Sequence, residues 1–307
     1  MNAAKLVTPL MLMGMFLTAC MAISVRNLVD AGLSLLDVAF LRLSISAAVM
    51  ILALLMTRKI GILKVRPRDM PFFVLFGAFK FLSDYTLFRA FDSISVGLAA
   101  LLQNTAPYFV MIVSFFLFRE RVGKMTLMAV MLGTFGCILI SGKALMDQSM
   151  DVSGMASAIL SAFFLGIFFI GSRINIDKGY TPATYLVLMF LFATLVSLPF
   201  ADIPAIGEGM TDLSVLGNSL ALGILMTLIP YYIMSWSVKH ISQVYCAVLA
   251  VSEVIFAVII GVLYFGEGLD VQDVLGVAML VASVAMISFL GGREKKDSDG
   301  TDQVQAE

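Results

Sequence analysis

Four ionisable residues lie inside otherwise apolar stretches: Arg42, Lys80, Asp84 and Glu253. A charge in lipid costs at least about 2.5 to 3.5 kcal/mol, so each needs a partner or a task. Lys80 and Asp84 are four residues apart and share one helix face, which allows an intrahelical ion pair. Arg42 and Asp84 can form either a static pair between two segments or a gate. Glu253 is flanked by Ser252, Ala250 and Ala257, small residues that suit close packing or a water-filled cavity. There it can take up and release a proton during a cycle, or meet a cationic group of a substrate; permanent neutralisation by Lys80 is the alternative. Asn104 and Tyr108, four apart with Gln103 adjacent, can hydrogen-bond a ligand or a neighbouring helix. Pro230 frees a backbone carbonyl beside Tyr231 and Tyr232, whose rings can line a cavity. Trp236 reads as an interface anchor, and His240, the one histidine, as a solvated cap.

The elements that carry these residues follow from composition. Hydrophobic residues make up 60% of the 307, and charged residues 13%, about half the share of a soluble domain. This is an integral membrane protein. Its net charge of -1 carries no information about partners. Cys20, Cys137 and Cys246 lie in apolar runs without metal-ligand spacing and read as packing residues. The first apolar run has no small-x-small cleavage site and is expected to be a retained span.

Ten segments are long enough to cross a hydrocarbon core of about 30 Å. They fall near 6–25, 34–56, 71–91, 94–117, 125–142, 153–172, 183–200, 215–237, 242–264 and 271–290. Continuous apolar runs indicate helices and not a barrel. The side that holds the N-terminus carries 15 of the 20 Lys and Arg, the opposite side carries Arg26, Arg89 and Lys143, and two lie within spans. Positive-inside asymmetry therefore places both termini in the cytoplasm. In this topology Lys80 and Glu253 lie about 14 and 16 Å from the cytoplasmic boundary, and Asp84 and Arg42 about 20 and 21 Å. Depth thus pairs Lys80 with Glu253 and Arg42 with Asp84, and the intrahelical Lys80–Asp84 pair competes.

The chain also repeats. Ser95–Arg121 aligns without a gap on Ser242–Gly268 at an offset of 147, with seven of 27 positions identical and a shared Phe-x-Glu ending. Five spans per unit is an odd number, so the second copy must enter the membrane inverted. The expected fold is an all-α integral membrane protein with ten transmembrane helices in two inverted five-helix repeats, 5–145 and 150–290, followed by a disordered cytoplasmic tail, 291–307. Inverted repeats place a site near the midplane and can exchange shapes to give alternating access. The charges are not duplicated: Lys80 aligns with Thr227, Asp84 with Tyr231, Arg42 with Met189 and Glu253 with Ala106. Such a site favours a small asymmetric, even zwitterionic, metabolite.

Two five-span units whose fourth helices end in Phe118-Arg119-Glu120 and Phe265-Gly266-Glu267 resemble the EamA family of the drug/metabolite transporter superfamily. Arg42 after Gly32-Leu33-Ser34, Ala90 at the end of the third span and Pro107 in the fourth add to the resemblance, which covers about 6–290. One departure is Glu253-Val254, where the family has Glu-Pro; it keeps the acid and is expected to drop the helix distortion. The resemblance implies a secondary carrier, often an exporter of amino acids or related metabolites, with a cavity between the halves.

No phosphate loop, catalytic triad or metal cluster is legible, and GKAL at 142–145 lacks the glycine spacing of a phosphate loop. Neither an enzyme nor an ATP-driven pump is supported, and no cofactor is implied. The expected activity is proton-coupled carriage of a small polar or amphipathic metabolite across the cytoplasmic membrane. An uncoupled facilitator and a non-transporting scaffold are the alternatives. Its partners would be a small-molecule metabolite, protons and the lipid bilayer, with no nucleic acid; homo-oligomer formation is left open.

Overall fold

The computed structural model describes residues 3–94, 96–119, 123–140, 151–266, 268 and 270–304. The described residues form helices and turns without strands. Among the described residues, nine helical segments are long and apolar enough to cross a membrane, and Lys124–Ile140 is a shorter apolar helix of 17 residues. Each of the ten expected segments overlaps one of these.

In chain order the helices are α1 (Ala3–Ala19), α2 (Met21–Asp30), α3 (Leu35–Met56), α4 (Met70–Ser93), α5 (Val96–Gln103), α6 (Ala106–Phe118), α7 (Lys124–Ile140), α8 (Val152–Asp177) and α9 (Pro182–Ser197). They continue with α10 (Ile203–Gly209), α11 (Leu213–Gly223), α12 (Ile229–Val238), α13 (Gln243–Ala250), α14 (Glu253–Phe265) and α15 (Val271–Val304). A π turn, Ile224–Leu228, joins α11 to α12 just before Pro230. A proline cannot donate to the carbonyl four residues back, and the wider turn accommodates that loss.

Caps set where several helices begin. Ser34 and Asp37 form a reciprocal capping box at the start of α3. Asp151 caps α8 through the Ser153 amide, and Thr181 caps α9 through Thr184, followed by Pro182 at the first helical position. The second Asp37 oxygen accepts the Asp202 amide at 2.8 Å, tying the start of α3 to the start of α10.

Lipid tails are as apolar as leucine, so helix association here depends on close packing and hydrogen bonds. The α7–α15 pair shows this. A β-carbon on Gly136 would lie 2.6 Å from the Gly276 carbonyl, and one on Gly276 would lie 2.6 Å from the Gly136 carbonyl. The two backbones therefore touch, and Ser283 donates to the Ala129 carbonyl at 2.6 Å beside them. Outward faces are apolar, with Phe116 and Leu263 about four-fifths exposed in the isolated chain (76% and 81%).

Helix pairing repeats under the 147-residue offset. α4 packs on α8 as α12 packs on α1; α9 packs on α4 as α3 packs on α11; α5 and α6 pack on α8 as α13 and α14 pack on α1. The pairs α3–α9 and α7–α15 map onto themselves. The backbone of α15 is helical to Val304.

Candidate functional site

The ninth apolar segment is interrupted at Val251 and Ser252, between α13 and α14. Local bonds tighten there to three-residue spacing, from the Val251 amide to the Val248 carbonyl, Ser252 to Leu249 and Val254 to Val251, each 3.1 Å. The Ser252 hydroxyl also donates to the Leu249 carbonyl at 2.7 Å. The distortion expected to be lost with the missing proline is therefore present. A hydroxyl that bonds its own backbone and a tightened turn produce it instead.

The fourth segment breaks at the matching place. Asn104 and Thr105 separate α5 from α6, the Thr105 amide bonds Leu102 at 3.1 Å, and the Thr105 hydroxyl donates to the same carbonyl at 2.6 Å. Adding 147 turns Thr105 into Ser252 and Leu102 into Leu249. Both second halves also end alike, with Arg119 at φ 56° and Gly266 at φ 69° in the left-handed region. That conformation terminates a helix, and it costs an arginine more than a glycine. The neighbouring glutamates, Glu120 and Glu267, lie outside the described residues.

Glu253 is the first residue of α14, at the positive end of that half-helix. By accessible surface it is half-buried. Its charged neighbour is Arg42 of α3, which is within electrostatic reach. This replaces the Lys80–Glu253 pairing drawn from depth. Height along the membrane normal says nothing about azimuth, and Lys80 faces along its own helix.

Lys80 donates to both oxygens of Asp84, at 2.6 and 2.8 Å, with both residues buried. Its ammonium also lies 4.8 Å from the centre of the Tyr231 ring, a cation–π contact. Arg42 reaches Asp84 only at 3.8 Å, too far for a hydrogen bond. It is 3% exposed, its Nε has no hydrogen-bond partner, and the Tyr231 hydroxyl is the side-chain group positioned to bond it. Three buried charges, Arg42, Lys80 and Asp84, and the half-buried Glu253 thus form one formally neutral group from α3, α4 and α14, with Tyr231 of α12 against both cations.

The remaining candidates divide. Gln103 donates to the Ser161 hydroxyl at 3.0 Å, and Ser161 donates to the Ser83 carbonyl at 2.8 Å, so Gln103 fastens α5 to α8 and α4. Tyr108 and Thr134 are bonded at 2.9 Å, joining α6 to α7. Both serve helix-to-helix contacts. Asn104 is half-buried at the break and engaged with neighbouring groups. Tyr231 faces inward, but Tyr232 is 42% exposed on the outer surface and does not share the site. Adjacent helical residues point about 100° apart, so one break cannot aim both rings inward. Trp236 stacks on His240 at 4.1 Å, and the His240 Nδ1 lies 2.9 Å from the Trp236 carbonyl.

Two groups escaped the sequence reading. Tyr185 of α9 is fully buried against Phe72, Phe76 and Phe168, forming an aromatic wall that continues to Tyr231. On the side of the bundle where the 56–70 and 177–182 connections meet, Asp69 accepts the Lys178 ammonium at 2.6 Å and the Tyr180 hydroxyl at 2.7 Å. These partners are more than 100 residues apart, so no local pattern reveals them.

A polytopic helical bundle with two broken helices and charges in its interior has the architecture of a membrane carrier. The sequence profile of the EamA-like transporter family matches residues 6–142 and again 152–289, and the chain belongs to that family. It is 28% identical to the uncharacterized transporter YdfC of Bacillus subtilis (strain 168) over 243 residues, covering 78% of this chain and 76% of that protein. It is 24% identical to the threonine/homoserine exporter RhtA of Escherichia coli (strain K12) over 201 residues, 65% of each chain. A solved crystal structure superimposes with a TM-score of 0.75 at 18% identity, covering 95% of this chain and 98% of the other, and shares its fold.

Proposed function

We propose that the protein is a secondary active carrier that exports a small polar or amphipathic metabolite, an amino acid or a related compound, across the cytoplasmic membrane in exchange for protons. Its ten helices work as two inverted repeats, 5–145 and 150–290, with both termini in the cytoplasm, and the halves exchange shapes to give alternating access. The matched breaks at 104–105 and 251–252 and the offset-related helix pairing support the repeat. The relative named as a threonine/homoserine exporter supports the substrate class.

One observation carries the coupling: Glu253 is an interior, half-buried carboxyl at a helix break, facing the buried Arg42. Lys80, Asp84 and Tyr231 stand behind Arg42. An acid in this position can hold a proton in one state and release it in the other, which is the minimum requirement for coupling.

Flux into proteoliposomes under an imposed proton gradient tests this, with L-threonine, L-homoserine, other amino acids, amines and nucleobases as probes. Uphill movement is expected, and Glu253→Gln should lower it at least tenfold while the protein stays inserted and monodisperse. Full gradient-driven flux in that variant removes Glu253 from the mechanism. Downhill flux alone in the wild type would make the protein a facilitator, and no flux across the panel would make it a scaffold.

A further inference from the structure

The cluster holds two buried cations with unequal demands. Lys80 is spent, since both Asp84 oxygens and the Tyr231 ring surround its ammonium. Arg42 is not: it is 97% buried, has no hydrogen bond to Asp84 at 3.8 Å, and keeps an unpartnered Nε. A guanidinium offers five donors in a planar fork that matches a carboxylate. Leaving part of that fork unmade in the interior is costly unless something else completes it.

We propose that Arg42 is the carboxylate-binding residue of the transport site, and that the substrate is a zwitterionic amino acid whose carboxylate completes the Arg42 fork while its ammonium turns to Glu253. The inference rests on the carrier reading above and adds a specificity determinant to it. Arg42 and Glu253 are electrostatic neighbours, and an α-amino acid carries its two charges on adjacent groups. Arg42 and Lys80 balance Asp84 and Glu253, so a neutral zwitterion enters without leaving a net buried charge. A phosphate or other dianion would unbalance the cluster, with one fork to receive it. Asp84 is the counter-charge of Arg42 at 3.8 Å and is itself held by Lys80, and neither is assigned to the substrate.

The test uses full-length protein in proteoliposomes and in detergent. The twenty proteinogenic amino acids are screened by thermal shift and flux, and the best is compared with its methyl ester and its amino alcohol, which keep the ammonium and lose the carboxylate. The acid is expected to bind at least tenfold more tightly than either analogue. Arg42→Gln should bring that ratio to within about twofold of unity, with the elution profile of the folded protein retained, and Arg42→Lys, which keeps the charge and loses the fork, should fall between the two. A wild-type ratio near one overturns the assignment, and that measurement needs no variant to fold. A tenfold ratio that persists in Arg42→Gln also overturns it, because another group then reads the carboxylate. Transport of amines or nucleobases without any amino acid overturns it and leaves the carrier reading standing. Absence of all flux defeats the carrier reading itself.

Discussion

Removing Asp84 should harm the protein far more than removing Lys80, although the two form one ion pair. Lys80→Met leaves Asp84 with a second cation, Arg42, at 3.8 Å in place of 2.6 Å. Coulomb attraction falls inversely with distance, so the Arg42 contact is about two-thirds as strong as the one lost, and roughly 40% of the combined attraction persists. Asp84→Leu leaves two buried cations with Glu253 as their remaining counter-charge. Breaking a buried pair costs about 3 to 5 kcal/mol when a charge is left uncompensated, and replacing both partners by apolar groups is often near neutral. The expected losses are therefore about 3 to 5 kcal/mol for Asp84→Leu, roughly 1 to 2 for Lys80→Met, and about 1 or less for the double variant. At roughly 2 to 4 °C per kcal/mol, the apparent unfolding midpoint in detergent should fall by about 6 to 20 °C, 2 to 8 °C and under 4 °C respectively. Nanoscale fluorimetry on the four proteins reads this directly. Equal losses for the two single variants, or a double variant whose loss is the sum of both, would refute the reasoning.

Other outcomes follow from the same geometry. Val254→Pro should be tolerated, because Val254 occupies the α14 position that Pro107 holds in α6 and gives up only its 3.1 Å bond to Val251. Its cost should be about 1 kcal/mol, against about 3 for a proline inside a helix, and a midpoint drop above 10 °C would contradict this. Gly136→Val places a side chain where the Gly276 backbone lies, so folded yield measured by fluorescence-detected gel filtration should collapse; normal yield would mean that α7 and α15 do not touch as described. Lys178→Ala should cost at most about 1 kcal/mol, since that ammonium is partly solvated, yet hydrogen exchange at 177–182 should rise. Unchanged exchange there would show that the Asp69 contact does not restrain the connection.

The membrane class, the placement of the apolar helices and the position of Glu253 within one of them were legible because each rests on a local property: run length, composition, or a charge where none is cheap. The partners of the charges were legible only as competing pairs, Arg42 with Asp84 and Lys80 with either Asp84 or Glu253. Depth along a helix is read from sequence, but rotation about its axis depends on packing, which sent Lys80 to Asp84 and left Glu253 beside Arg42. Gln103 and Tyr108 illustrate the same gap, because their partners Ser161 and Thr134 lie on helices whose contact faces no apolar run reveals. The break before Glu253 was missed for another reason. A proline was taken as the mark of a distorted helix, while Ser252 reaches the same geometry through its hydroxyl.

The paired breaks also make α6 and α14 levers. Each spans 13 residues, about 20 Å from joint to tip. α13 is buried along most of its length, whereas much of α14 lies near the lipid surface, so the joint at Val251–Ser252 separates an anchored arm from a freer one. A swing of about 10° at either joint would carry the far tip about 3.5 Å, more than the diameter of a water molecule. Because the arms are equal in length, the same small angle produces the same travel in both halves.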